Sequence, residues 1–159
     1  MRNRHLQDYE TVWQDVLLAT GQPDRDWSWD YKLRQGERNA SDEAYAIEVD
    51  NLTQGLMLIE TQRHRSQLPQ RYPLVYIEAL ATAPWNRRRL EEPPYLRGVG
   101  RTLLLFARQR SLELGLGGRV GLHALPGSEA FYHRNPMPEY DADPEKEDWV
   151  SFEYGIIQR

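Results

Sequence analysis

Leu96-Arg97-Gly98-Val99-Gly100-Arg101-Thr102 is the stretch on which the reading of this chain turns. It is followed by Leu103, Leu104, Phe106, Ala107 and Leu114, whose spacing predicts an apolar helix ending at Gly115. Glycines at 98 and 100 let the backbone approach a ligand closely and adopt dihedrals closed to other residues. The amides of such a turn, and of the first helical turn behind it, have no partner inside the helix. They stand at the positive end of the helix dipole, a ready site for phosphate. Arg97 and Arg101 add charge at its mouth, and a diphosphate is the guest expected between Leu96 and Arg101.

Upstream, Leu74–Thr82 has the β-branched and aromatic richness of a central strand, ended by Pro84. Trp85–Tyr95 holds two more prolines and is predicted to be a loop. Further back, Tyr45, Ile47 and Val49 alternate with smaller or polar residues, and Leu56–Ile59 follow after a turn around Asp50–Gln54, predicting a hairpin. Leu6, Tyr9, Trp13, Val16 and Leu17 predict a helix over 6–19, stopped by Gly21-Gln22-Pro23. Asp26 is placed to cap a second short helix, Trp27 to about Arg34, with a strand as the alternative there.

Residues 62–72 are polar, contain Pro69 and read as a loop. Downstream, Arg119–Leu122 predicts a short strand. Pro126-Gly127-Ser128 leads into a short helix with Ala130, Phe131 and Tyr132. A loop rich in proline and acids follows, and Trp149–Ile157 predicts a last strand. No repeat or linker divides the chain, so residues 1–159 are expected to form one α/β (α+β) domain around one sheet.

Composition narrows the function classes. Of 159 residues 40% are hydrophobic and 28% charged, as in an ordinary globular protein. The absence of cysteine excludes disulfides, thiolate metal sites and a cysteine nucleophile. No apolar run is long enough to span a bilayer, and Met1-Arg2-Asn3-Arg4-His5 leads into a polar amphipathic segment rather than a signal peptide; a cytoplasmic location is expected. The net charge of −4 disfavours nucleic acid as partner. Charge is uneven, however. Residues 87–110 hold seven arginines against two glutamates, which suits a small anionic ligand.

Three families use a glycine turn of this kind. A Walker loop needs Lys and then Ser or Thr after its second glycine, and Arg101-Thr102 is wrongly spaced for that. A dinucleotide fingerprint needs three glycines early in the chain. The third pattern is Gln or Arg, two residues, Gly, one residue, then Gly or Ala, and Tyr95-Leu-Arg-Gly98-Val-Gly100 resembles it at both glycines. It is the pyrophosphate motif of the GNAT acetyltransferase superfamily. Val75–Ala83 before Pro84 is similar to that family's splayed fourth strand, and Ala130-Phe131-Tyr132 resembles its fourth helix. The similarity covers about residues 44–157. Departures are Tyr95 at the Gln/Arg position, about eight extra residues (Arg88–Tyr95), Pro136-Met137 in place of Gly-Phe, and no strand before residue 6.

The resemblance implies a mixed, mostly antiparallel sheet flanked by helices, with a splayed central strand pair. It also implies acetyl-CoA as cosubstrate, without metal, held by Leu80, Ala81 and Thr82 along the pantetheine arm, by Tyr95 through Thr102 at the diphosphate, and by Ser128. Under that reading an amine attacks the thioester directly in a ternary complex. Tyr132 protonates the departing thiolate. Glu78, the one carboxylate in an otherwise apolar strand, is the candidate base, on the face of Tyr76 and Leu80 by strand alternation, or else a structural glutamate paired with an arginine across the sheet. His123, at the end of the fifth strand, could assist as a base or be a hydrogen-bonded structural histidine.

Other residues invite blander readings. His5, His64 and His133 share no ligand spacing with His123, so no metal site is expected. Ser128 lacks a Gly-x-Ser-x-Gly setting, which excludes a hydrolase triad. Arg87, Arg88 and Arg89 read as a solvated run, with the 3′-phosphate of coenzyme A as the alternative. Trp13, Trp27, Trp29, Trp85 and Trp149 read as core or loop anchors, with Trp27 and Trp29 available to an acceptor pocket. The acceptor expected is a small-molecule or peptide amine, and a homodimer is compatible with all of this. A non-catalytic acyl-CoA sensor with the same fold, and a dinucleotide binder using the same turn, are the competing classes.

Overall fold

In a computed structural model, which describes residues 1–157, the chain is helical from Asn3 to Ala19, in three pieces: α1 (Asn3–Asp8), a π-helical turn (Tyr9–Trp13) and α2 (Gln14–Ala19). The wide turn shifts the helical phase. Tyr9, Trp13 and Leu17, four apart, all point inward, whereas Val16 is left 38% exposed. No strand precedes this segment among the described residues. The second helix, α3 (Trp29–Arg38), starts later than expected because the cap is Ser28, not Asp26. The Ser28 hydroxyl accepts the Tyr31 amide at 3.2 Å.

Strands β1 (Asp42–Val49) and β2 (Leu52–Glu60) follow. Asp50 and Asn51, at φ 52° and 61°, make a two-residue turn, tighter than the predicted Asp50–Gln54. Then come β3 (Val75–Thr82), a 3₁₀ turn (Pro84–Asn86), α4 (Val99–Glu113), β4 (Val120–His123), α5 (Glu129–Arg134), β5 (Glu139–Asp143) and β6 (Trp149–Tyr154). One six-stranded sheet has the order β1-β2-β3-β4-β6-β5. β3 and β4 are parallel, pairing Val75 with Val120 through Ile77 with Leu122. β4–β6 and β5–β6 are antiparallel, the latter with an irregularity between Tyr140 and Ala142. The mixed sheet flanked by helices is as expected. β5 corrects the predicted acidic loop: it is a largely exposed edge strand, where acidic side chains meet solvent.

Packing divides the chain into two compact units, Met1–Leu58 with Ala79–Leu103, and Ile59–Glu78 with Leu104–Arg159. In the first, Leu6, Tyr9, Trp13, Leu17, Trp29, Leu33, Leu56, Leu58, Ala79, Ala81 and Ala83 form one buried cluster. Each leucine fully removed from water there contributes roughly 1.5–3 kcal/mol. Trp13 meets Trp85 edge-on at 6.2 Å between ring centroids, which anchors the segment after β3. Trp29 is 1% exposed and belongs to this core. In the second unit Leu74, Val75, Ile77, Leu104, Ala107, Val120, Leu122 and Phe152 are buried.

Candidate active site

In the first unit, α4 starts at Val99 as the sequence predicts. Gly98 has φ +81° and open space where a Cβ would stand, so backbone freedom rather than crowding calls for glycine there. Its carbonyl accepts the Thr102 amide at 2.8 Å and the Thr102 hydroxyl at 3.0 Å. The amides of Val99, Gly100 and Arg101 precede that bond and find no acceptor within the helix. Arg97 and Arg101 are exposed. The start of α4 lies hard against β2: a Cβ at Gly55 would stand 2.8 Å from Val99 Cγ1 and 3.1 Å from Leu103 Cδ1.

The turn is braced by residues that sequence reasoning missed. Gln54 is buried, and its Oε1 accepts both Trp85 Nε1 and Asn86 Nδ2 at 2.8 Å. Asn86 Oδ1 in turn accepts the Leu96 amide at 2.9 Å, and the Trp85 carbonyl accepts the Tyr95 amide at 2.9 Å. The Leu96 amide is therefore engaged within the protein. Polar residues flanking a strand carry no periodic signal, and only burial reveals such a hub.

Arg87 corrects the reading of a solvated arginine run. Its guanidinium grips Asp24 bidentately at 2.7 Å for each bond, and donates to the Thr82 carbonyl from Nε at 3.0 Å and Nη2 at 2.8 Å. Only 16% of its side chain is exposed. It locks the end of β3, so the Thr82 carbonyl is already occupied. Arg88 and Arg89 are exposed. Leu80 is half-buried and Ala81 buried. Tyr9, beneath this corner, has its phenol pushed up to about 12 by burial and by the Asp24 charge.

In the second unit, Tyr132 sits on α5, buried between Phe131 at 5.0 Å and Phe152 at 5.3 Å, and burial pushes its pKa up. Ser128 precedes α5, but its hydroxyl donates to the Leu125 carbonyl at 2.7 Å. His123 engages both ring nitrogens: Nδ1 lies 2.7 Å from the Tyr76 hydroxyl and Nε2 3.0 Å from Asp143 Oδ2. With the carboxylate accepting from Nε2, Nδ1 accepts from Tyr76. Burial lowers the His123 pKa against the opposing pull of Asp143.

Beside Tyr76 stands a group that the sequence did not single out. The His64 ring stacks on the Tyr76 ring, 3.8 Å between centroids and 9° between planes. His64 Nδ1 lies 2.8 Å from Glu60 Oε2, and Nε2 lies 3.8 Å from Glu78 Oε1. Glu60 is fully buried at the end of β2. It accepts the amides of Gln62, Arg63 and His64 at 2.7–3.0 Å. Burial alone would raise its carboxyl, but the His64 ring and those amides outweigh it and hold the pKa at about 2. Thus Glu78, Tyr76, His64 and His123 come together, Glu78 half-buried with His64 rather than an arginine as neighbour.

Among the described residues no group of three or more His, Cys, Asp or Glu could hold a metal ion, and no helix is long and apolar enough to cross a membrane. No protein-family model matches the chain, and no curated protein matches its sequence. Solved structures match its backbone. The Bacillus subtilis N-acetyltransferase YlbP in complex with coenzyme A superposes with TM-score 0.61 at 12% identity, over 97% of this chain and 91% of that one. An aminoglycoside 6′-N-acetyltransferase complexed with coenzyme A gives 0.62 at 13% identity, over 92% and 90%. The PaiA N-acetyltransferase of Thermoplasma acidophilum, also in complex with coenzyme A, gives 0.56 at 13%, over 94% and 86%. At such identities the shared property is the course of the backbone, and by it the chain has the fold of the GNAT N-acetyltransferases.

Proposed function

We propose that this protein is an acyl-CoA-dependent N-acetyltransferase, moving an acetyl group from acetyl-CoA to a primary amine on a small molecule or peptide in a ternary complex. The observation that carries the reading is the start of α4. Gly98 at positive φ, three amides without helical acceptors and two exposed arginines form an anion cradle in a chain with the acetyltransferase fold. The diphosphate is assigned to Arg97, Gly98, Val99, Gly100 and Arg101, with Tyr95 and Thr102 flanking. Leu96 contributes without its amide. Along β3 the pantetheine arm is left Leu80 and Ala81, because the Thr82 carbonyl already accepts from Arg87.

The acceptor must be drawn in, oriented and relieved of a proton before its nitrogen can attack. Glu78 supplies negative charge that attracts an ammonium, and the groups packed around it receive the proton. Tyr132, kept protonated by burial, is suited to give its proton to the departing thiolate. His123 acts by position, holding the Tyr76 hydroxyl.

Calorimetric titration with coenzyme A and with NAD, followed by thiol release from acetyl-CoA across an amine panel, tests this. Coenzyme A is expected to bind, NAD not, and at least one amine to be turned over. NAD binding without coenzyme A binding would overturn the assignment. Tight coenzyme A binding with no turnover on any amine would make the protein a sensor instead.

A further inference from the structure

We propose that His64 is the proton acceptor for the attacking amine, with Glu60 as its orienting carboxylate and Glu78 as the anionic anchor for the incoming ammonium. This deepens the acetyltransferase reading and rests on it. The argument starts at Glu60. A fully buried carboxylate accepting three backbone amides can only accept, so the proton in its 2.8 Å contact with His64 belongs to Nδ1 of the ring. Neutral His64 then carries its lone pair on Nε2. That nitrogen is turned toward Glu78, but at 3.8 Å it makes no hydrogen bond to it. Each of the two side chains is 25% exposed, so an open lone pair and an open carboxylate border one solvated spot.

The ring is fixed in plane as well as in tautomer. Stacking on Tyr76 removes its freedom to tilt, and Tyr76 is held by its bond to His123, itself tied to Asp143. The titratable and charged groups facing His64 are Glu60 from β2, Tyr76 and Glu78 from β3, and His123 from β4. Asp143 and Lys146 stand one step further out. Lys146 lies over the Tyr76 ring at 5.9 Å.

The step balances without any outside reagent. An ammonium pairs with Glu78 and passes one proton to His64 Nε2. The freed nitrogen lone pair forms the N–C bond to the acetyl carbonyl as the C–S bond breaks, and the sulfur takes a proton from Tyr132. The second proton, shed by the acylated nitrogen as it becomes a neutral amide, is returned through solvent to the Tyr132 phenolate. The imidazolium left behind lies between two carboxylates, Glu60 and Glu78, which stabilise it. His123 cannot take this part, because both of its nitrogens are engaged.

The test has two arms, run after coenzyme A binding has been measured so that failure of the acetyltransferase reading is seen separately. In the first, ¹⁵N NMR of the imidazole reads the His64 tautomer without any substrate. The Nδ1–H form is expected in the wild type, reverting toward the Nε2–H form in Glu60→Gln. An Nε2–H wild type would overturn the proposal. In the second, His64→Gln is expected to lower kcat on the accepted amine about 10²–10⁴-fold, with coenzyme A affinity unchanged. The wild type is expected to show a kcat/KM that rises with pH, and His64→Gln to abolish the His64 part of that rise. Glu60→Gln, which keeps the ring, should give a smaller loss. A His64→Gln enzyme with wild-type kcat and pH profile would overturn the assignment.

Discussion

Replacing Gly55 by alanine tests how the glycine turn is positioned. The added methyl would stand 2.8 Å from Val99 Cγ1 and 3.1 Å from Leu103 Cδ1, where carbon atoms ordinarily rest about 3.5–4.0 Å apart. The shortfall approaches 1 Å at the first residue of α4, and the Ala81 carbonyl, 3.6 Å away, limits movement on the other side. Overpacking of this kind costs about 1–3 kcal/mol. For a domain of this size that lowers Tm by roughly 2–12 °C. Because the strain falls on Val99, the amides proposed to hold the diphosphate should move with it, and coenzyme A affinity should drop alongside stability. Val99→Ala removes the clashing methyl. In a double-mutant cycle read by thermal denaturation and calorimetry, Gly55→Ala/Val99→Ala should be more stable than the sum of the single changes predicts, by about 1 kcal/mol or more. Strict additivity, or a Gly55→Ala protein that melts with the wild type, would refute the idea that β2 sets the height of the turn.

Tyr132→Phe, measured by thiol release, should lower turnover much more than acetyl-CoA affinity; equal activity would remove Tyr132 from the mechanism. Acid unfolding should expose Glu60. Its folded pKa of about 2 lies below the ordinary 4.5, so it stabilises the fold fully above pH 4.5 and loses that contribution as pH falls toward 2. The amount is on the order of 3 kcal/mol, and Glu60→Gln should flatten the pH dependence of stability across that window while lowering stability at neutral pH. A Glu60→Gln protein with the wild-type acid profile would show the carboxylate is not held as described.

What could be read beforehand followed from periodicity and turn chemistry. The helix at Leu6–Leu17, the hairpin, β3 and the Gly98–Val99 helix start each announce themselves by spacing or by glycine. Val16 misled because a π turn changes the phase midway, which no fixed 3.6-residue template anticipates. β5 was invisible because Glu139-Tyr-Asp-Ala-Asp143 has no β-branched residue and faces solvent. The candidate site was half legible. Glu78, Tyr132 and the glycine turn could be named from local sequence. Gln54, Asn86, Arg87 and His64 take their meaning from partners 10 to 63 positions away or from a loop fold, as with Asn86 and Leu96, or Arg87 and Asp24.

The acidic character of β5 has a consequence for self-association. An outermost strand offers its free backbone groups to any neighbour that can align with it, including another molecule's copy of the same strand. With Glu139, Asp141 and Asp143 along five residues, two such copies brought together would set like charges face to face. The border of the sheet thus repels its own image, and substituting those carboxylates by neutral residues would remove this safeguard against strand-to-strand growth.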